Sequence, residues 1–336
     1  MLGISHAASG PSNVLRVPGK ARREIAAIAA GRLDRLLLSN VHMIDTNTGL
    51  GAINSSRELQ ELLITVRARV RKYLVSRQST NGGFCFYRSA YADHPNLADT
   101  ASAVRSFRLL DIPVPCAAKV GSFVAALALQ PQPEYLFNLV TVQRAIGCDD
   151  IAIPVSKMIH GLSLSPAPGP EYQQTGWFER TRFLAHLKRV VGDLRSVACI
   201  AAHIGEMLLA DGFGRTPNLW DTWLAIDTLL VCGDVSIPET IREFVDRLQC
   251  RPSGFTLCID SQVLNLNTVF AGVQCCDLLH IPLKYRREIL RFVLACQAGH
   301  GGFAASPGAV PNLELTERAI RVLVRLWPET ASDEAG

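Results

Sequence analysis

Two stretches of the chain set an acid at the head of an apolar run: Pro95-Asn96-Leu97-Ala98-Asp99-Thr100 and Pro217-Asn218-Leu219-Trp220-Asp221-Thr222. A carboxyl in a first helical turn stabilises the helix dipole and caps free N–H groups. Enclosed in an apolar pocket, the same group keeps its proton and becomes a general acid. Aromatic residues stand close to these acids: Phe86, Tyr87, Tyr91, Phe137, Trp177, Phe178, Trp220, Trp223 and Phe270. Their ring faces either stabilise cations or pack between helices. Arg180 offers a guanidinium to a diphosphate, a carboxylate or a neighbouring acid. Asp93-His94 reads as support for an acid or as a solvated turn. The eight His show no ligand spacing, and the sequence holds neither a DDxxD cluster for magnesium-dependent ionisation nor a phosphate-binding Gly loop.

The elements that hold these residues repeat. Tyr73-Leu74 is followed by Gln78 and Gly83-Phe84, Phe244-Val245 by Gln249 and Gly254-Phe255, and Phe292-Val293 by Gln297 and Gly302-Phe303. The common spacing is a helix that ends in a Gly turn, with the aromatic-aliphatic pair facing the core and the Gln amide satisfying free backbone groups. A second signal starts apolar runs at Asn96, Phe137-Asn138, Asn218, Asn265 and Asn312. The 81-residue step from 137 to 218 is about twice its neighbours, so a degenerate copy is expected near Trp177-Phe178-Glu179-Arg180-Thr181, with Thr181 in the register of Thr100. This gives six helical pairs of roughly 40–47 residues, each an amphipathic outer helix, a turn and a more apolar inner helix. Residues 163–175, rich in Pro, Gly and Ser, read as a surface loop.

Ahead of the repeats, residues 1–20 read as a tail, Arg22 to Leu38 as a helix and Asp45 to Ser56 as a loop. The expected organisation is an N-terminal tail, helix and loop over 1–56, one toroid over 57–328 and a disordered tail over 329–336. At 48% hydrophobic and 19% charged, the 336 residues describe a globular chain with a large core. Lys and Arg exceed Asp and Glu by 4, too small a bias to argue for nucleic acid. No apolar run reaches the roughly 18 residues of a membrane span, and the first residues lack a secretory signal. The ten Cys, without CxxC pairs, read as buried free thiols of a cytoplasmic protein.

The Gln-to-aromatic pattern resembles the QW-type repeats of squalene–hopene cyclases and other class II terpene cyclases. It also resembles the Gly-Gly-Phe repeats of protein prenyltransferase β subunits. The likeness covers roughly residues 57–327 and implies an all-α fold, a closed (α/α)6 toroid. Class II cyclases carry a DxDD or DxDT motif at this kind of helix start. Here Leu97-Ala98-Asp99-Thr100-Ala101 matches the Asp-Thr-Ala half without the leading Asp, and Leu219-Trp220-Asp221-Thr222 shares that defect. Asp149-Asp150 resembles the tail of the motif but falls in a loop register. The prenyltransferase likeness implies a zinc site of Asp, Cys and His. Asp221 matches the Asp, Trp223 stands at the Cys position, and Glu314-Leu315-Thr316 holds no His.

What the resemblance implies is a class II terpene cyclase-like enzyme, an isomerase or lyase of isoprenoid biosynthesis. Asp99 or Asp221 would be the proton donor, and Trp220, Trp223, Tyr91, Phe86, Phe137, Trp177 and Arg180 would line the substrate. No redox cofactor or obligatory metal is expected, and Mg2+ only if the substrate is a diphosphate. The alternative is a non-catalytic toroid that holds a lipid, a prenylated peptide or a protein partner; a weaker one is a prenyltransferase β-like subunit without the zinc site. Peripheral contact with a membrane suits an isoprenoid ligand.

Overall fold

The computed structural model describes residues 56–87, 93–148, 151–166, 175–209, 212–233, 236–251 and 253–326. The expected N-terminal helix, the Asp149-Asp150 pair and Tyr91 lie outside them.

Among the described residues, twelve helices alternate between two layers. The inner layer consists of α2 (Leu97–Leu109), α4 (Pro133–Ala145), α6 (Thr175–Val190), α8 (Leu219–Cys232), α10 (Leu266–Leu279) and α12 (Leu313–Leu326). The outer layer consists of α1 (Ser56–Ser76), α3 (Ala117–Ala125), α5 (Ile153–Gly161), α7 (Leu194–Glu206), α9 (Glu239–Arg247) and α11 (Arg286–Ala295). Each inner helix packs on the next one along the chain, and α12 returns to pack on α2, so the inner helices close a ring. The all-α toroid expected from the sequence is the observed fold. Inner helices are buried nearly all round, as α10 shows from Leu266 to Leu279. Outer helices bury one stripe, as α9 does with Ile241, Phe244 and Val245. Among the described residues, no helix is long and apolar enough to cross a membrane.

The turns lock the two layers together. Backbone bridges join Gln78 to Phe84 and Gln297 to Phe303. In the fifth pair the same closure forms strands β3 (Gln249–Cys250) and β4 (Gly254–Phe255). The Gln amides do what the spacing predicts. Gln78 Nε2 donates to the carbonyls of Gly82 and Pro115, and Gln249 Nε2 donates to that of Pro282, so each ties its turn to the loop ahead of the next outer helix. A fourth turn escaped the sequence pattern: β1 (Leu208–Leu209) pairs with β2 (Gly212–Phe213), with Met207 in place of Gln. Phe84, Phe213, Phe255 and Phe303 are all fully buried.

Each turn sits on the outer helix of the following pair. A Cβ added at Gly83 would meet Phe123 of α3, and one at Gly254 would lie 2.1 Å from Cγ1 of Ile289 on α11. One added at Gly301 would lie 2.2 Å from the carbonyl oxygen of Arg69 on α1, so the last turn seats on the first outer helix.

Two readings are corrected. The second inner helix begins at Pro133 rather than near Phe137, and Asn138 is a buried side chain within it, bonded to Arg105. Pro in its first turn makes this start without an Asn cap. The ten cysteines are free, but Cys116, Cys148 and Cys199 are exposed rather than buried.

The seating predicts that Gly254→Ala destabilises the fold by about 2 kcal/mol or more, since the residue combines φ +97° with contact against Ile289. Gly205→Ala on α7, with nothing within 4 Å of the added atom, should be neutral or stabilising by up to about 1 kcal/mol. Urea denaturation of both variants checks the contrast.

Candidate functional site

The first turn of each inner helix decides what reaches the ring's interior. Asn96 accepts from the Asp99 N–H, Asn218 from that of Asp221, Asn265 from that of Asn267, and Asn312 from that of Leu315. The Thr hydroxyls Oγ1 of Thr100, Thr222 and Thr316 accept the N–H of Phe84, Phe213 and Phe303. These bonds pin each helix rotationally against its Gly-Phe turn.

With that phase fixed, the residue before the Thr turns away from the ring axis. Asp99 Oδ2 accepts from the Phe86 N–H at 2.8 Å and from Asn96 Nδ2 at 2.6 Å. Burial pushes its carboxyl above the usual range, opposed by those two bonds and by Arg77 and assisted by Glu314. Asp221 is only 3% exposed. Its Oδ2 accepts from Asn218 Nδ2, while Oδ1 is buried without a hydrogen-bond partner. Burial raises this carboxyl too, opposed by Asn218 and the nearby Thr175 hydroxyl. Both acids therefore hold the Asn side chains that cap their helices, and Asp221 is the more enclosed.

The residue two before the Thr faces inward. Trp220 Nε1 on α8 donates to Glu179 Oε1 on α6 at 3.3 Å. Arg318 on α12 lies 4.7 Å from the Trp220 ring centroid and 5.8 Å from that of Phe270 on α10, and it also binds Asn267 and Glu314. Groups on four inner helices can meet in this way only inside the ring.

Below this mouth comes an aromatic level. Trp223 lies 4.9 Å from both Trp220 and Phe270, and Phe137 lies 4.9 Å from Phe183. The Arg182 guanidinium sits 5.0 Å from the Trp223 centroid and 5.9 Å from that of Phe137.

The floor is ionic. Arg182 Nε lies 2.5 Å from Asp227 Oδ2, with His186 Nε2 3.0 Å from the same atom. Burial alone would raise the Asp227 carboxyl, but Arg182 and His186 hold it well below the usual range. Arg105 and Arg321 grip the two oxygens of Glu317 at 3.1 and 2.5 Å. Here too burial would raise the carboxyl, but the two guanidiniums hold it at about 2. Arg105, Arg182, His186, Asp227 and Arg318 keep 16–27% side-chain exposure although they face inward, so the ring encloses solvent-accessible space.

The predicted residues thus divide. Trp220, Trp223 and Phe137 line the lumen, whereas Phe86 stands 43% exposed on the loop beside Asp99. Trp177 and Arg180 line a separate cavity of about 940 Å³ between the starts of α4 and α6 and the end of α5, with Glu134, Leu162 and Thr181. Arg180, next to Thr181, points away from the axis like the two aspartates. Sequence reasoning missed Glu179, Arg182, Asp227, Glu317 and Arg318. The available signal was the register of Thr181, which places Glu179 where Trp220 stands relative to Thr222. The donor set of a prenyltransferase zinc does not fit: Asp221 is engaged with its cap Asn218, and Trp223 is a lumen aromatic. Among the described residues, no group of three His, Cys, Asp or Glu side chains is suited to hold a metal.

The ring of helical pairs around an aromatic-walled lumen defines an α/α toroid. The family model described as the prenyltransferase alpha-alpha toroid domain matches residues 45–139 and 172–326, more than half of the chain, and the chain belongs to that family. Among solved structures it is similar to the type II terpene cyclase MstE from Scytonema, solved in complex with its substrate geranylgeranyl dihydroxybenzoate. The superposition has a TM-score of 0.53 and 12% identity, and it covers 82% of this chain and 99% of that one, a likeness of fold. No curated protein matches the sequence significantly.

The Glu317 network makes a pH-dependent prediction. A carboxyl lowered from an ordinary 4.5 to about 2 stabilises the fold above pH 4.5, and this contribution is lost as pH falls toward 2. Glu317→Gln should therefore unfold about 3 kcal/mol more easily at neutral pH, with the gap to wild type closing as pH falls through that window. Urea titrations at pH 7, 4 and 2.5 measure it, and a constant gap would contradict the assignment.

Proposed function

We propose that the chain is a terpenoid cyclase-like enzyme that folds an isoprenoid inside the ring and starts its cyclisation by protonation. The observation that carries this reading is the lumen itself: a wall of Trp220, Trp223, Phe270 and Phe137 above an ion-paired floor, with carboxyls of raised pKa around its mouth. Aromatic faces stabilise developing carbocations, and a carboxyl whose pKa is raised by burial is better suited to protonate an alkene. Of the two aspartates singled out in the sequence, the burial and unpartnered oxygen of Asp221 support it better than Asp99, which accepts two hydrogen bonds. The partners of both lie on their own helix, the preceding loop or an adjacent helix. The reaction requires no redox cofactor, and Mg2+ would enter only with a diphosphate substrate. The relative solved with a geranylgeranyl-bearing substrate supports the choice of ligand class.

One observation favours a second reading, a toroid that binds an isoprenoid, lipid or prenylated partner without reacting. Arg182 and Arg318 already lie over the faces of Trp223 and Trp220, so those rings face a cation before any ligand arrives.

Incubation with farnesyl and geranylgeranyl diphosphate and squalene, read by mass spectrometry, separates the two. The cyclase reading predicts a cyclic isomer from wild type, and at least a ten-fold loss or an altered product in Trp223→Leu. Binding without product moves the conclusion to the second reading.

A further inference from the structure

We infer that Glu179, rather than Asp99 or Asp221, is the acid that meets the ligand in the lumen, held in place by the Trp220 indole. This rests on the cyclisation reading and names its proton donor.

Position comes first. The ring order of the inner helices is α2, α4, α6, α8, α10, α12, so α6 and α12 stand opposite each other. Glu179 on α6 is under the electrostatic influence of Arg318 and Glu314 on α12 and of Glu134 on α4, and it accepts from Trp220 on α8. A carboxyl that senses the opposite helix lies in the interior. Asp99 bonds instead to its cap Asn96 and to the Phe86 N–H of the preceding loop, and Asp221 to its cap Asn218 with Thr175 at the start of α6 nearby.

Ionic state separates Glu179 from the other inward carboxyls. Asp227 and Glu317 are each paired with Arg on the floor, and Glu314 at the mouth is 55% exposed and paired with Arg318. Glu179 has no ion pair within salt-bridge distance among the described residues, and its Oε1 takes the single indole bond. Oε2 has no hydrogen-bond partner among the described residues. Burial raises its carboxyl above the usual range, opposed by the Trp220 bond and Arg318 and assisted by Glu314 and Glu134. An acid oriented through one oxygen presents the other to whatever fills the lumen.

The step balances without a co-reactant. The Glu179 O–H bond breaks and its proton joins one alkene carbon through the π pair, leaving a cation on the more substituted carbon. A second alkene of the same chain attacks that cation. The resulting ring cation loses a proton from an adjacent carbon to water at the mouth, which reprotonates Glu179, so substrate and product are isomers. Trp220 and Trp223 border the space where the cation forms, which also predicts that a long-chain ammonium ion binds there beside Glu179.

The test uses the full chain as wild type, Glu179→Gln and Asp221→Asn. Each is assayed with geranylgeranyl diphosphate and squalene for product, and with dodecyltrimethylammonium by calorimetry at pH 8. Circular dichroism verifies the fold. The expected result is at least a hundred-fold loss of cyclic product in Glu179→Gln and about a ten-fold loss of ammonium affinity in that variant. Product retained in Glu179→Gln overturns the inference, and product lost in Asp221→Asn alone returns the role to Asp221. If wild type forms no product, the cyclisation reading fails on its own. The ammonium arm then decides the placement: affinity unchanged in Glu179→Gln removes Glu179 from the ligand site, and a ten-fold loss keeps it there.

Discussion

The bond between a Thr hydroxyl in an inner helix and the backbone N–H of the Phe that ends the preceding turn fixes the geometry of this toroid. It recurs at Thr100, Thr222 and Thr316. An α-helix turns about 100° per residue, so pinning one position sets the direction of every other. With the Thr held against the turn, the residue two before it points inward and the residue one before it points back toward the rim. The caps Asn96, Asn218 and Asn312 enforce the same phase, because each holds a first-turn N–H of its own helix.

From that phase the lumen follows level by level. The inner helices run parallel, so equivalent depths meet: Glu179 with Trp220 at the mouth, Trp223 with Phe270 below, and His186 with Asp227 at the floor. The floor carries paired charges because the ring keeps some solvent there, while the inter-layer space holds Phe84, Phe213, Phe255 and Phe303 with no exposure. Buried ion pairs add little net stability over a well-packed apolar floor, but losing one partner is costly. They therefore maintain the shape of the lumen's base more than they strengthen the fold.

Much of this architecture is legible in the sequence because it is built from local chemistry. Gln, Gly-Phe and Asn-Leu recur at set spacings since each meets a backbone need that arises at every helix end. The fourth turn, Gly212-Phe213, hides because Met207 stands where Gln serves elsewhere. The start at Pro133 hides because proline replaces the Asn cap. The site is harder to read for a geometric reason. Asp99, Arg180 and Asp221 stand next to the Thr in sequence, yet one residue along a helix is a large rotation, and it carries them off the axis. Glu179 has an unremarkable sequence context, and its setting comes from helices on the other side of the ring.

We propose that ligand binding takes place in the lumen, at the level of Glu179, Trp220, Trp223 and Phe270. A crystal structure of the chain with a bound long-chain isoprenoid tests it most directly. Ligand density is expected inside the ring, its chain against Trp223 and Phe270 and its end at Glu179. Density confined to the cavity beside Trp177 and Arg180, with Arg182 and Arg318 still over their rings, would contradict it.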